Sequence, residues 1–92
     1  MAVEVSIPTI LRNYTHGAKR VDASGASLAE VFSDLDGQFP GIRERLVDDA
    51  GLRRFVNVYL NDEDVRFLEG LETKVEDSDQ VTILPAVAGG VS

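Results

Sequence analysis

The chain has 92 residues, a formal net charge of −7 from 16 acidic and 9 basic side chains, one histidine and no cysteine. That length makes a single domain burying only about 60–65% of the surface its unfolded chain exposes, too thin for a deep substrate cavity. Lacking cysteine, it has no disulfide framework, cysteine nucleophile or thiolate metal site, and His16 alone makes no zinc site.

An acidic surface repels phosphate backbones, so no nucleic-acid partner is expected, and a basic patch on a partner protein is the better electrostatic match. No apolar run approaches the roughly 18 residues of a transmembrane helix, so no membrane partner is expected. Residues 1–11 are too polar and strand-like for a signal peptide, and the expected compartment is the cytoplasm.

Val3, Val5 and Ile7 alternate with Glu4 and Ser6, the period-two pattern of a half-buried strand. Asn13 to Gly17 is turn-rich, and Ala18 to Ala23 runs back as a second strand. Ser27 with Glu30 three residues later forms a capping box. Leu28, Val31, Phe32, Leu35 and Phe39 then follow at helical spacing, and Pro40-Gly41 ends the helix. Ile42 to Val47 adds a short helical turn before a loop at Asp48 to Gly51.

Phe55 to Leu60 is the third strand, with Val56, Val58 and Leu60 on one face and Phe55, Asn57 and Tyr59 on the other. Asn61-Asp62-Glu63 is a polar turn, and Asp64 to Phe67 a short fourth strand. Glu76 to Asp79 is another turn, and Val81 to Leu84 the last strand. The order β-β-α-β-β-β packs as one mixed sheet with a helix across one face, an α+β fold of the β-grasp, ubiquitin-like architecture. The domain spans residues 1–85, and residues 86–92 form a flexible tail.

That tail is the informative part of the chain. Pro85 cannot donate a ladder hydrogen bond and helps end the strand. Ala86, Val87 and Ala88 are small, and Gly89 and Gly90 let backbone enter a channel too narrow for a side chain. A terminus without bulk suits a protein whose last carboxylate is worked on by another enzyme. On composition alone, simple fraying is the commoner reading of such an end.

The stretch from Val75 through the acidic turn, the strand, Pro85 and Gly89-Gly90 resembles the final segment of the ThiS/MoaD family of sulfur carriers. Asn61 matches a position often occupied by Asn in that family. The chain from Val3 onward, above all Phe55 to Phe67, is similar to the actinobacterial CysO-type carriers within it. Two departures stand out: Ser78 replaces the glycine usual in the acidic turn, and Val91-Ser92 follows the diglycine that normally ends the chain.

The resemblance implies a carrier with no catalytic residues or bound cofactor of its own. Gly90, preceded by Gly89, is the sulfur-carrying terminus, and Pro85 to Ala88 thread it into partner sites. An E1-like adenylating enzyme of the MoeB/ThiF type uses ATP and magnesium to activate the Gly90 carboxylate for conversion to a thiocarboxylate. The expected acceptor is a PLP-dependent cysteine synthase or another sulfur-accepting synthase. Val91 and Ser92 are a removable extension, with a JAMM-type metalloprotease as the implied processing partner.

Phe55 and Tyr59 share one strand face, and Leu84, out of phase with Val81 and Ile83, can join them as a partner-docking patch. Ordinary cross-strand pairing is the plainer reading of these residues. Arg53 and Arg54 flank that patch or are simply solvated. The acid-rich turns lack the glycine and distal glutamate of a calcium loop, so no metal site is expected. A molybdopterin-synthase small subunit, a thiazole-synthesis carrier, a β-grasp interaction module and a protein modifier are the alternatives.

Overall fold

In a computed structural model, residues 2–49, 51–53 and 56–85 are described. The chain begins with β1 (Val3–Ser6), a 3-10 turn at Thr9–Leu11 and β2 (Arg20–Ala23). The main helix α1 (Leu28–Gln38), a short α2 (Ile42–Leu46), and the two-residue strands β3 (Val47–Asp48) and β4 (Gly51–Leu52) follow. The chain continues through β5 (Val56–Leu60) and β6 (Glu63–Asp64), two further 3-10 turns, and β7 (Gln80–Pro85).

Five strands make one mixed sheet in the order β2-β1-β7-β5-β6. Strands β1 and β7 are parallel, with Val5 opposite Val81, and their other neighbours are antiparallel. This is the β-grasp arrangement that the element order implied. Alternation along β1, β5 and β7 sends Val3, Val5, Val56, Val58, Val81 and Ile83 to the covered face. There they meet Leu28, Val31, Phe32 and Leu35, which α1 presents at spacings of three and four. Burying each such side chain fully contributes about 1.5–3 kcal/mol. Phe39 closes the stripe partly buried, where its ring meets the edge of His16 at a centroid distance of 6.3 Å.

The cap of α1 differs in detail from a reciprocal box. Glu30 N–H donates to Ser27 Oγ, but the Glu30 carboxylate accepts from Ala26 N–H, one residue earlier than the cap. Ser24 N–H donates to Asp34, and Gln38 Nε2 donates to the Asp22 carbonyl. Two side chains of α1 thus occupy the outer rim of β2, an edge that would otherwise offer a foreign strand free backbone groups.

The fourth strand corrects the sequence reading. Leu60 pairs with Glu63 and Tyr59 with Asp64, so the connection is two residues long and the strand lies earlier than Asp64 to Phe67. Asn61 (φ 54°) and Asp62 (φ 91°) are both left-handed, as a tight hairpin turn of the primed type requires. Residues 65–67 instead form a 3-10 turn, begun when the Asp64 carboxylate accepts from Arg66 N–H. Two smaller corrections apply: Val47 leaves the helix for β3, and the loop at Asp48 to Gly51 is a minimal hairpin with β4.

Ser78 is left-handed at φ 76°, a conformation in which an L side chain crowds the following carbonyl. Replacing Ser78 by Gly relieves that crowding at some entropic cost, and should raise stability by about 0.5–1 kcal/mol in urea melts. Gly25 behaves oppositely. A Cβ there would lie 2.7 Å from Val31 N and 2.9 Å from the Glu30 carbonyl carbon, both backbone atoms. Gly25→Ala should cost about 1–3 kcal/mol in the same measurement.

Candidate functional site

Strand β7 lies at the centre of the sheet and is the last strand before the C-terminal residues. Its start is held by polar contacts. Asn61 N–H donates to the Gln80 carbonyl (2.9 Å), Gln80 N–H to Asn61 Oδ1 (3.0 Å), and Asn61 Nδ2 to Asp79 Oδ1 (3.0 Å). Asp79 Oδ2 accepts from Glu76 N–H, and Asp77 Oδ1 from Ala2 N–H. The acidic turn thus knots the β5–β6 hairpin, the first strand and the last together. Among the described residues no group of three or more His, Asp or Glu side chains is placed to hold a metal ion.

The far end of β7 is built differently. β1 accompanies it only as far as Thr82, opposite Ser6, and then turns away through Pro8. Ile83, Leu84 and Pro85 continue against β5 alone. Pro85 is the last residue of the strand rather than a breaker beyond it. Asn61 and Gln80 are a hydrogen-bonded pair, so alternation puts Pro85 opposite Val56 at a non-bonded position, where its missing N–H costs nothing. Val56 N–H bonds the Arg53 carbonyl instead.

Beside this unaccompanied end lies an apolar groove of about 140 Å³, lined by Pro8, Ile10, Leu84 and Pro85 with Arg45 and Arg53 at its rim. Its volume is far below the ~300–1,000 Å³ of small-molecule sites, so it suits one side chain better than a cofactor. Ile10 is 65% exposed and Leu84 45% exposed, both unusual for large aliphatics. Arg45 Nε donates to the Tyr14 hydroxyl (2.7 Å), a bond that raises the arginine's pKa and holds its guanidinium over the Tyr14 ring.

Leu84 and Tyr59 emerge on the same open face of the sheet, with Thr82 and Asp62 between and beside them. The pairing of Asn57 with Leu84 and Tyr59 with Thr82 fixes that shared side. Two members of the expected docking patch are therefore together. Phe55 and Arg54 lie outside the described residues, as do Ala86, Val87, Ala88, Gly89, Gly90, Val91 and Ser92. Arg53 is exposed, and its Nε donates to the Glu44 carbonyl (2.7 Å), which positions the guanidinium without neutralising it. Arg66 donates to Val56 O, Arg53 O and Asn57 Oδ1, bracketing both sides of the entry to β5.

The sequence reading missed Ile10 and Phe67, the latter 87% exposed. A faint signal exists for Ile10, since Thr9-Ile10-Leu11 places two large aliphatics side by side where only one can face inward.

A mixed sheet gripping one helix, with the last strand at its centre, defines a ubiquitin-like β-grasp protein. The sequence pattern of the ThiS family matches residues 5–90. The chain is 60% identical to the sulfur carrier protein CysO of Mycobacterium tuberculosis, covering 98% of this chain and 100% of that protein. A solved chain of the Amycolatopsis orientalis BexX/CysO complex superposes with a TM-score of 0.92 at 58% identity, covering 97% of this chain and 100% of that one. Small archaeal modifier protein 3 of Haloferax volcanii is 37% identical, covering 77% of this chain and 76% of that protein. The chain belongs to the ThiS family. Within it, the chain is similar over nearly its whole length to CysO sulfur carriers, which are small carriers and not enzymes.

The Asn61 bonds give a local test. Asn61→Ala removes both side-chain bonds and leaves a Cβ at positive φ, so stability should fall by about 1–2 kcal/mol. Hydrogen exchange at the Gln80 amide, freed of its partner, should accelerate by more than the global loss explains.

Proposed function

We propose that this chain carries sulfur on the carboxylate of Gly90. The observation that supports it most is similarity to CysO sulfur carriers across nearly the full length, with the diglycine inside the matched span. In this reading an E1-like adenylating enzyme of the MoeB/ThiF type consumes ATP with magnesium and turns the poorly electrophilic carboxylate into an acyl-adenylate. Sulfide or a persulfide donor displaces AMP, leaving a thiocarboxylate. The sulfur then adds to an acceptor within a partner's site, and hydrolysis of the resulting thioester releases product and regenerates the Gly90 carboxylate.

For a carrier of this type the acceptor is a PLP-dependent cysteine synthase or another sulfur-accepting synthase, and the compartment is the cytoplasm. ATP, magnesium and PLP belong to those partners. The A. orientalis complex pairs CysO with BexX, which supports delivery by docking to a partner protein. Val91-Ser92 must leave before activation, because adenylation needs a free Gly90 carboxylate. A JAMM-type metalloprotease is the proposed agent.

The intact mass of the protein from its native cells tests this directly. The expected species ends at Gly90 with sulfur in place of one terminal oxygen. A chain still ending at Ser92 after exposure to the protease, the adenylating enzyme, ATP and a sulfur source would overturn the reading. Deleting Gly89-Gly90 should abolish thiocarboxylate formation while leaving partner docking intact.

The likeness to an archaeal modifier protein supports a second reading, in which Gly90 is joined to lysines of other proteins. Lysine adducts bearing the Gly90 remnant, found by peptide mass spectrometry, would mark that use.

A further inference from the structure

The net charge of −7 hides two opposite ends. Asp62, Glu63, Glu76, Asp77 and Asp79 gather where β7 begins. Arg45 and Arg53 sit where it ends, and Arg12 bonds the carbonyl of Ile7, just past the end of β1. Six residues of strand separate the two ends of β7 by roughly 17 Å, about two Debye lengths at physiological ionic strength. The acidic end therefore contributes little to the field at the tail exit.

The arginines there are also unspent. Among the described residues the one ion pair is Arg20 with Glu4, at 3.7 Å on the open sheet face. Arg45 bonds a tyrosine hydroxyl and Arg53 a backbone carbonyl, each through Nε, and neither pairs with a carboxylate of the described residues. Glu44, Asp48 and Asp49 share a separate surface hollow with Arg43 and Arg53, and Glu44 also acts on Arg45, so these carboxylates partly offset the arginines. Two guanidinium forks remain beside an apolar groove, a combination that matches a carboxylate next to an aliphatic side chain.

We propose that the tail-exit end of the sheet docks an acidic protein surface: an apolar partner side chain enters the groove between Ile10 and Leu84, and adjoining carboxylates pair with Arg45 and Arg53. This reverses the partner charge that the overall composition suggested. It rests on the carrier reading only in that the tail must be offered to a partner's site. A carboxylate-lined mouth around that site would steer the chain in tail first, with the acidic end trailing.

The test uses the full chain processed to Gly90 and the cognate E1-like adenylating enzyme, with Kd measured by calorimetry. Arg45→Glu with Arg53→Glu should weaken binding about tenfold or more at about 50 mM salt, and the wild-type Kd should itself weaken as salt rises to about 300 mM. Arg45→Lys with Arg53→Lys should restore most of the affinity, which distinguishes lost charge from lost fold; thermal melts check the latter. Glu76→Lys with Asp77→Lys, at the far end, should leave Kd within about twofold.

An unchanged Kd for the Arg-to-Glu pair overturns the proposal. So does a larger effect at the far end, which would mean that a basic partner meets the acidic turn. Thiocarboxylate formation is scored separately. A wild-type chain that binds through these arginines yet takes up no sulfur would sink the carrier reading and leave the docking surface standing.

Discussion

Everything else in this fold hangs on the parallel pairing of β1 with β7. It sets residues 4–6 beside 80–82 at the centre of the sheet, with Val5 and Val81 both fully buried against α1. Closing a loop that long costs entropy that grows only slowly with length, so a few buried pairs suffice to offset it. The consequence is directional. A parallel central pair makes the last strand run the same way as the first, and the chain end emerges at the end of the sheet opposite the acidic turn.

That geometry divides the labour between the two ends of β7. Where the strand begins, Asn61 bonds Gln80 and Asp79, while Asp77 and Asp79 accept from the backbone N–H groups of Ala2 and Glu76. Where it finishes, β1 has already turned away, Pro85 donates nothing, and the neighbouring surface is apolar and cationic. A tight start with an open finish suits the proposed role, in which the terminus enters another protein. The described body fixes where β7 ends, at Pro85.

Arginine plays an unusual part here. Arg12, Arg53 and Arg66 all bond backbone carbonyls, at Ile7, Glu44, Val56 and Arg53 itself, rather than the abundant carboxylates. Each holds a turn or a strand entry near the tail exit. Guanidinium suits this work because its planar fork satisfies several carbonyls at once and keeps its charge. Local chain geometry, not net charge, decides where these guanidinium groups sit.

The sequence by itself determined the order of the main strands and helix, the helix stripe from Leu28 to Leu35, the last strand to within one residue at each end, and the family of the diglycine tail. Those signals are local: a period of two, a period of 3.6, a proline and two glycines. The two-residue turn at Asn61-Asp62 was legible only in part, because Asn-Asp permits left-handed backbone without demanding it. Tertiary structure alone decided that β7 runs on past its pairing with β1 at Thr82, that Ile10 is left exposed beside Leu84, and that Arg45 and Arg53 come together there. Ile10, Arg45, Arg53 and Leu84 are scattered over 75 positions in the chain. Their meeting depends on the parallel register of two strands from opposite ends of the molecule, which no local pattern encodes.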